Sequence, residues 1–169
     1  MERELLILRH AKSDWGTTGI GDFDRPLNGR GKEDAPKVGR WIEHEGLQPD
    51  YIVSSPAQRA RSTVRKVAKQ CGYRRSAIDY RPRLYLADLA SLFEVLRGAP
   101  ELAQRVLLVG HNPGLEMLLL HLAGHVPSPA DGKLLPTATL ARLVLPVDWS
   151  RLEPGCGRLL ELVRPRDLE

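Results

Sequence analysis

Residues 5–10 read Leu5-Leu6-Ile7-Leu8-Arg9-His10, so an apolar run is followed at once by two basic side chains. A short apolar run closed by charge is typical of a central strand that is buried on both faces of a sheet. Residues 51–53 and 106–109 form two further runs of this kind, and segments with helical spacing of apolar residues separate the three. Strands that alternate with helices predict an α/β layer structure with a mostly parallel central sheet.

Outside these runs, the sequence predicts further elements and one long loop. Apolar spacing, proline near the helix starts and glycine beyond the helix ends indicate the helices. The predicted helices cover residues 30–44, 56–70, 88–97 and 114–122. Additional strands are predicted over residues 78–81, 138–145 and 158–163, the last of them at a sheet edge. Residues 11–28 are rich in glycine and charge and predict a loop, and a loop of that length after a buried strand is more often functional than idle.

The overall composition is that of one folded domain spanning residues 1–169, with 42% hydrophobic and 27% charged residues. A net charge of +4 and a pI of about 9.3 favour anionic partners. Cys71 and Cys156 lie far apart and form no CxxC pair, which favours reduced thiols. No run approaches the roughly 18 apolar residues that span a bilayer. These features predict a soluble, cytoplasmic protein.

Distinctive polar residues follow each of the three buried runs. They are Arg9-His10 after the first, Ser54-Ser55 after the second and Gly110-His111 after the third. In open α/β sheets the ligand lies beyond the carboxyl ends of the strands. We therefore expect these residues to converge on one edge of the sheet and to form a site there.

The residue types at this edge suit phosphoryl transfer. A neutral imidazole is a good nucleophile toward phosphorus, and the reaction needs little beyond positioning and charge stabilisation. Arginine binds two phosphate oxygens at once through its planar guanidinium, and a second histidine can donate a further hydrogen bond. His10, Arg9, Arg59 and His111 supply this set without a metal or other cofactor.

Four motifs in order give the chain a resemblance to a known family. Leu8-Arg9-His10-Ala11 resembles the signature of the histidine phosphatase superfamily, although the family usually has glycine where this chain has Ala11. The segment from Ser55 to Thr63 is similar to the second motif, and Gly110-His111-Asn112-Pro113 to the third. Asp24-Arg25-Pro26-Leu27-Asn28 resembles the family segment that leads into the first helix. The combination is most similar to the small SixA-like members, described as phosphohistidine phosphatases.

This resemblance implies a fold and a set of roles. The fold is a phosphoglycerate mutase-like three-layer sandwich without a large cap. His10 is the nucleophile that forms a phosphohistidine intermediate, Arg9 and Arg59 bind the phosphate, and His111 donates a hydrogen bond in the pocket. Arg25 is expected to reach the pocket as a further substrate-binding residue.

The pattern of motifs lacks the glutamate that usually serves as general acid. Many larger family members carry a glutamate after the second helix, but residues 83–88 contain none, and Asp88 is the nearest carboxylate. An alkoxide leaving group needs a proton in the transition state, whereas an imidazole with a pKa near 6.5 leaves readily once its ring is protonated. A site without a strong acid therefore suits phosphohistidine, phosphotyrosine-like esters or anhydrides better than sugar phosphates. No insertion between the motifs is long enough for a large cap, which favours a phosphate displayed on a protein surface. The alternative is a small-molecule phosphomonoesterase that uses Asp88 as its acid.

A third interpretation is a non-catalytic module that binds phosphate or nucleic acid. The presence of both His10 and His111 argues against it, because a pure anion site needs neither. His121 and His125 have helical spacing, but no third ligand is evident, so no metal is predicted. The expected partner is a phosphorylated protein or a small phosphate ester, and neither nucleic acid nor a membrane is expected to bind.

Overall fold

A computed structural model describes residues 2–146 and 148–168 of the chain. Its central feature is a six-stranded sheet with the order β3-β2-β4-β1-β5-β6. The strands are β1 (Arg3–Arg9), β2 (Tyr51–Ser54), β3 (Asp79–Tyr80), β4 (Arg105–Gly110), β5 (Leu140–Leu145) and β6 (Arg158–Val163). The α-helices are α1 (Gly29–His44), α2 (Gln58–Cys71), α3 (Leu89–Arg97) and α4 (Gly114–Ala123). A short 3-10 helix, Asp22–Asp24, interrupts the loop after β1.

Two apolar cores cover the two faces of the sheet. Strand residues point alternately to opposite faces, so Leu6 and Leu8 of β1 pack on one side, against α1 and α2. Leu5 and Ile7 pack on the other side, against α3 and α4. All four side chains are fully buried, as a strand covered on both faces requires. The α/β sandwich predicted from the sequence is confirmed.

The sheet is mostly parallel, with one reversed strand. β1 pairs in parallel with β4, β4 with β2, and β2 with β3, whereas β5 runs antiparallel to both β1 and β6. The reversal of β5 follows from where the chain enters the sheet. The N–H of Ala138 donates to the carbonyl oxygens of Arg9 and His10, so the chain meets the carboxyl end of β1 first and then runs back along it.

Strands β2, β4 and β1 are neighbours, so the ends that carry Ser54, Gly110 and Arg9 lie side by side. The predicted convergence of the three polar segments at one sheet edge is therefore confirmed. None of the α-helices in the described part of the chain has the length and apolar character needed to cross a bilayer.

Two glycines allow helix starts to approach the segments that frame this edge. A Cβ at Gly31, in the first turn of α1, would lie 2.1 Å from the carbonyl oxygen of Lys12. A Cβ at Gly114, at the start of α4, would lie 2.2 Å from the carbonyl oxygen of Ala87. Any side chain at either position would push the loop after β1 or the segment before α3 away from the edge.

Candidate active site

His10 lies directly after β1 and is held in one orientation. Its Nδ1 is 2.8 Å from the carbonyl oxygen of Ala11. Because a carbonyl only accepts hydrogen bonds, Nδ1 carries the proton and Nε2 is unprotonated, with a lone pair that can accept a hydrogen bond or attack an electrophile. Burial, aided by the positive charges of Arg59 and Arg9, lowers the pKa of His10 to about 3. The ring is therefore neutral near pH 7, and a neutral imidazole is the nucleophilic form.

Arg59, in the first turn of α2, directs its guanidinium at both His10 and the loop after β1. Its Nε donates to Nε2 of His10 at 3.4 Å. Its Nη1 donates to the carbonyl oxygen of Asp22 at 2.7 Å, and its Nη2 donates to the Asp22 carboxylate at 3.1 Å. The side chain of Arg59 is buried, so in this structure Asp22 occupies the donors that a phosphoryl group would use.

Asp22 itself is held in the ionised form. The hydroxyl of Tyr85 donates to its Oδ2 at 2.5 Å, and Nη2 of Arg25 donates to its Oδ1 at 2.9 Å. These hydrogen bonds, with the charge of Arg59, hold the pKa of Asp22 well below its usual range. A carboxylate in this state accepts hydrogen bonds but has no proton to donate.

His111 follows β4 and faces His10, with the two ring centres 5.2 Å apart. Its Nε2 is 2.8 Å from Oγ of Ser55, and that oxygen also accepts a hydrogen bond from the N–H of Ala57 at 3.2 Å. Burial and the charge of Arg59 lower the pKa of His111 to about 4, so this ring is also neutral near pH 7. With its oxygen engaged by Ala57, the Ser55 hydroxyl can donate to Nε2, which leaves the ring proton on Nδ1.

Arg9 and Arg25 bring two more guanidinium groups to the same place. Nη1 of Arg9 donates to the carbonyl oxygen of Leu135 at 3.1 Å. Arg25 donates to Oγ of Ser13, and its guanidinium lies 3.6 Å above the centre of the Trp15 ring. Arg25 is buried, as expected for a residue that reaches the pocket.

These side chains line a cavity of about 320 Å³, hereafter the pocket. The residues that line it are Arg9, His10, Lys12, Ser13, Trp15, Asp22, Arg25, Arg59, Leu86, His111, Asn112 and Thr137. Within the part of the chain that the structure describes, three buried donors of this set have no hydrogen-bond partner: Nε of Arg9, Nε of Arg25 and Nδ1 of His111. Buried donors are normally paired, so these three indicate a site for an anion.

The structure brings five of the six predicted site residues together and leaves one outside. Asp88 does not line the pocket. Its carboxylate accepts a hydrogen bond from the N–H of Ser91 at 2.9 Å and caps the start of α3, and this bond lowers the pKa of Asp88. An exposed helix cap with a lowered pKa is poorly placed and poorly suited to act as a general acid.

Several residues of the pocket region were not predicted from the sequence, and Asp22 and Tyr85 are the two that matter most for its charge. Asp22 lies in a loop with two other aspartates, Asp14 and Asp24, and nothing in the local pattern distinguishes among them. Tyr85 lies in the stretch where many family members carry a glutamate, and a tyrosine there does not by itself indicate a site residue. Its ring contacts His111, with the two centres 5.6 Å apart.

The metal prediction concerns a different part of the molecule. Within residues 2–146 and 148–168, no group of three His, Cys, Asp or Glu side chains is placed to hold a metal ion. The ring of His121, one of the two histidines with helical spacing, packs edge-on against Phe93 with the ring centres 5.0 Å apart.

Comparisons with known proteins agree with this geometry. Residues 5–85 match the sequence profile of the histidine phosphatase superfamily (branch 1). An uncharacterised protein of Mycobacterium tuberculosis is 32% identical over 164 residues, covering 94% of this chain and all of that one. Among solved structures, one from Agrobacterium tumefaciens, described as a phosphohistidine phosphatase SixA, is 29% identical with a TM-score of 0.79 and covers 96% of this chain and 98% of its own.

A second such structure, from Nakamurella multipartitia and also described as a phosphohistidine phosphatase SixA, is 25% identical with a TM-score of 0.81. It covers 98% of this chain and 97% of its own. The agreement in fold extends over nearly the whole length of both chains, including the elements that carry His10, Arg59 and His111. The chain therefore belongs to the histidine phosphatase superfamily and is a phosphatase of SixA-like fold.

Proposed function

We propose that this phosphatase removes phosphoryl groups from phosphohistidine on proteins, through a phosphorylated His10. The observation that carries the proposal is the state of Asp22. Among the described residues that line the pocket, Asp22 carries the only carboxylate, and Tyr85, Arg25 and Arg59 keep it ionised. A pocket whose carboxylate cannot give up a proton suits a leaving group that departs without one.

In the first step, Nε2 of His10 attacks the phosphorus atom. A bond forms between Nε2 and phosphorus, and the bond between phosphorus and the leaving nitrogen of the substrate breaks. The bond from Nδ1 to the Ala11 carbonyl fixes the ring so that the lone pair of Nε2 faces the pocket. A water molecule then attacks the phosphorylated histidine, which releases inorganic phosphate and restores the neutral ring.

The cations of the pocket stabilise the charge on the equatorial phosphoryl oxygens. Arg59 has two donor nitrogens on Asp22 and one on His10, so an incoming phosphoryl group competes with Asp22 for the same guanidinium. Arg9, Arg25 and His111 line the same pocket and bring further N–H groups to it. Donors that are already in place cost no reorganisation when charge develops in the transition state.

The chemistry of the leaving group separates the candidate substrates. An imidazole whose second nitrogen is protonated leaves as a neutral ring, and its pKa near 6.5 makes this protonation easy at neutral pH. An alkoxide needs a proton from the enzyme at the moment of bond breaking. Asp22 is ionised and Asp88 caps α3 outside the pocket, so neither is arranged to provide that proton.

The rim of the pocket favours a substrate displayed on a protein. Trp15 is 76% exposed and Leu86 is 56% exposed, and both line the pocket. Phe23, 40% exposed, packs edge-on against Tyr85 beside them. Large apolar side chains left exposed around a polar site provide contact area for a partner protein. A small sugar phosphate would bury little of this apolar surface.

The comparisons support the same choice without excluding ester substrates. The two SixA structures resemble this chain over almost its full length, with TM-scores of 0.81 and 0.79. A mycobacterial glucosyl-3-phosphoglycerate phosphatase shares the fold with a lower TM-score of 0.66 and 21% identity.

The deciding experiment compares hydrolysis of a phosphohistidine peptide with that of a simple alkyl phosphate, without added metal and with His10→Ala as the blank. We expect a kcat/KM ratio far above one. A ratio near or below one, with activity still dependent on His10, would move the substrate to phosphate esters. In that event Asp88→Asn tests whether Asp88 is the acid. Loss of ester hydrolysis in this variant would show that Asp88 does more than cap α3.

A further inference from the structure

The positive charge of the chain is concentrated in one stretch. Residues 51–78 contain seven of the 25 Lys and Arg residues and none of the 21 Asp and Glu residues. Without them, the rest of the chain would carry 18 basic and 21 acidic residues and be net negative. One of the seven is Arg59 of the pocket. The other six follow it along α2 and the turn beyond: Arg61, Arg65, Lys66, Lys69, Arg74 and Arg75.

Four of these cations line a shallow groove of about 530 Å³, hereafter the basic groove. Its lining residues are Ser62, Arg65, Lys66, Lys69, Tyr73 and Arg75. The residues that line it include no carboxylate, and none of the four cations forms an ion pair among the described residues. Nε of Arg65 is buried and lacks a hydrogen-bond partner among the described residues. The groove therefore has positive charge that the protein itself does not neutralise.

The basic groove begins one helical turn from the pocket. Arg59 belongs to the pocket, and Ser62, three residues later in α2, belongs to the groove. At a rise of about 1.5 Å per residue, Lys69 lies roughly 15 Å along the helix axis from Arg59. An extended polypeptide covers that distance in about five residues. A chain with its phosphorylated residue in the pocket can therefore reach the far end of the groove.

We propose that the basic groove binds an acidic segment of the phosphoprotein whose phosphohistidine enters the pocket. This inference rests on the proposed function. The fit is one of charge, because Asp and Glu side chains of a substrate would neutralise Arg65, Lys66, Lys69 and Arg75. The groove thereby selects phosphoproteins that carry carboxylates within about 15 Å of the phosphorylated residue.

The aromatic residues of this surface favour a polypeptide over a nucleic acid. Proteins that bind single strands stack bases on free aromatic faces. Here the hydroxyl of Tyr73 is turned inward, where it accepts from the N–H of Ile52 and donates to the carbonyl of Ala77, each at 3.3 Å. The face of Tyr80 is covered by the guanidinium of Arg61 at 4.1 Å. The hydroxyl of Tyr73 and the ring face of Tyr80 are thus already engaged within the protein.

The test uses two triple variants that remove the same charge from different surfaces. K66Q/K69Q/R75Q acts on the groove. R97Q/R151Q/R158Q removes three exposed charges from the end of α3, a 3-10 helix and the edge strand β6. The first measurement is binding of a labelled, unphosphorylated peptide of alternating glutamate and glycine, which requires no catalysis. We expect the groove variant to weaken binding roughly tenfold, since each exposed ion pair contributes a few-fold, and the control to leave it within about twofold.

Kinetics then connect the groove to turnover. For an acidic phosphohistidine peptide, the groove variant should raise KM roughly tenfold and leave kcat unchanged, with the difference shrinking at high salt. For phosphoramidate, which cannot reach the groove, both constants should match those of the unaltered protein. Equal binding by the two triple variants, or preferential binding of single-stranded RNA over the glutamate peptide, would overturn the groove proposal. Failure to hydrolyse any phosphohistidine peptide, with glutamate-peptide binding intact, would overturn only the proposed substrate.

Discussion

Two arginine clusters lie at opposite ends of strand β1, and they differ in how their charges are paired. At the amino-terminal end of β1, Glu4 accepts from Arg105 at 3.0 Å and from Arg142 at 2.8 Å, and Arg142 also donates to Glu161 at 3.0 Å. In this basal cluster two cations meet two carboxylates. At the other end of β1, the pocket gathers Arg9, Arg25 and Arg59 with Asp22 as the carboxylate, and three donors are left over.

The difference separates a structural cluster from a binding site built with the same residue type. Charges that are paired within the protein stabilise the fold modestly and have no need of a ligand. Buried cations that exceed their carboxylates repel one another and are stabilised by an anion from outside. The two clusters are therefore distinguished by the number of donors that lack a partner, and not by the residue types that they contain.

The largest effect is expected from His10→Ala. The variant loses the nitrogen that is proposed to attack phosphorus, so turnover of a phosphohistidine peptide should fall by about 10⁴-fold or more, as for other nucleophile deletions. Covalent labelling with radioactive substrate should show a phosphorylated protein for the unaltered chain and none for the variant. The matched change at the other edge, Glu4→Ala, should keep the phosphoenzyme. A His10→Ala protein that turned over at an undiminished rate would rule out the mechanism.

Next in size is the contrast between Arg59→Met and Arg105→Met, which keep most of the apolar stem and remove the charge. Arg59→Met should lower kcat/KM by about 10²–10³-fold, the usual cost of one preorganised donor to transition-state charge. Its unfolding free energy without phosphate should stay the same or rise, because repulsion among the pocket cations is relieved. Arg105→Met should keep full activity and lose roughly 1 kcal/mol of stability.

Urea unfolding and steady-state kinetics on both variants measure this contrast. Saturating inorganic phosphate sharpens it, since a ligand at 100 times its Kd stabilises the folded state by about 2.7 kcal/mol. That gain should appear in the Arg105→Met protein and be largely lost in the Arg59→Met protein. Equal stabilisation of both by phosphate would place the anion site elsewhere.

The two clusters should also respond to acid in different pH ranges. His10 and His111, with pKa values lowered to about 3 and 4 in the folded state, take up protons below about 6.5 when the chain unfolds. Unfolding therefore becomes easier as the pH falls below 6.5, by about 2 kcal/mol per histidine between pH 6.5 and 5. Burial raises the pKa of Glu4, but hydrogen bonds from Arg142 and Arg105 outweigh it and hold that pKa below the usual value. The contribution of Glu4 is thus kept above pH 4.5 and lost below it.

Urea titrations at several pH values separate the two ranges with one variant for each cluster. His10→Asn should roughly halve the dependence between pH 6.5 and 5, because His111 remains, and Glu4→Gln should alter it only below about pH 4.5. A His10→Asn protein with an unchanged slope above pH 5 would mean that folding does not lower the pKa of His10, which would contradict the effect of burial on this ring.

Most of the fold could be predicted from the sequence because buried strands require apolar residues at consecutive positions. The runs at residues 5–8, 51–53 and 106–109 are apolar at every position. Strands covered on both faces require this pattern, and all three runs are strands in the structure. The direction of β5 in the sheet could not be predicted from the pattern of apolar residues. Five of its six residues are apolar, a pattern that fits either orientation, and the hydrogen bonds from Ala138 that reverse the chain are made by the backbone.

The pocket was predictable where a residue follows a strand and less so elsewhere. Arg9, His10 and His111 were identified by position, and Arg59 by its motif. Asp22 reaches Arg59 only because a loop of irregular backbone folds over the sheet edge, and neither its path nor the contact with Tyr85 is encoded in local spacing. The expected acid, Asp88, has the right chemistry, but helix α3 begins at that point and uses the carboxylate as its cap.

The smallest effect, and the most specific, is expected from Ser55→Ala. The hydroxyl of Ser55 receives the N–H of Ala57 and lies 2.8 Å from Nε2 of His111, so it keeps the His111 proton on Nδ1, where a phosphoryl oxygen can accept it. Loss of one such hydrogen bond should lower kcat about tenfold. Ser54→Ala is the matched control, because the Ser54 hydroxyl donates to the Ser55 carbonyl oxygen and, among the described residues, forms no hydrogen bond with His111.

Nitrogen chemical shifts of the His111 ring distinguish positioning from a general loss of structure. In the unaltered protein and in Ser54→Ala, they should report one tautomer with Nδ1 protonated. In Ser55→Ala they should move toward a mixture of both tautomers, while the His10 shifts remain those of a ring fixed by Ala11. If Ser55→Ala lowered kcat with the His111 tautomer unchanged, Ser55 would act through packing, and the proton on Nδ1 would have to be held there by the bound phosphoryl group itself.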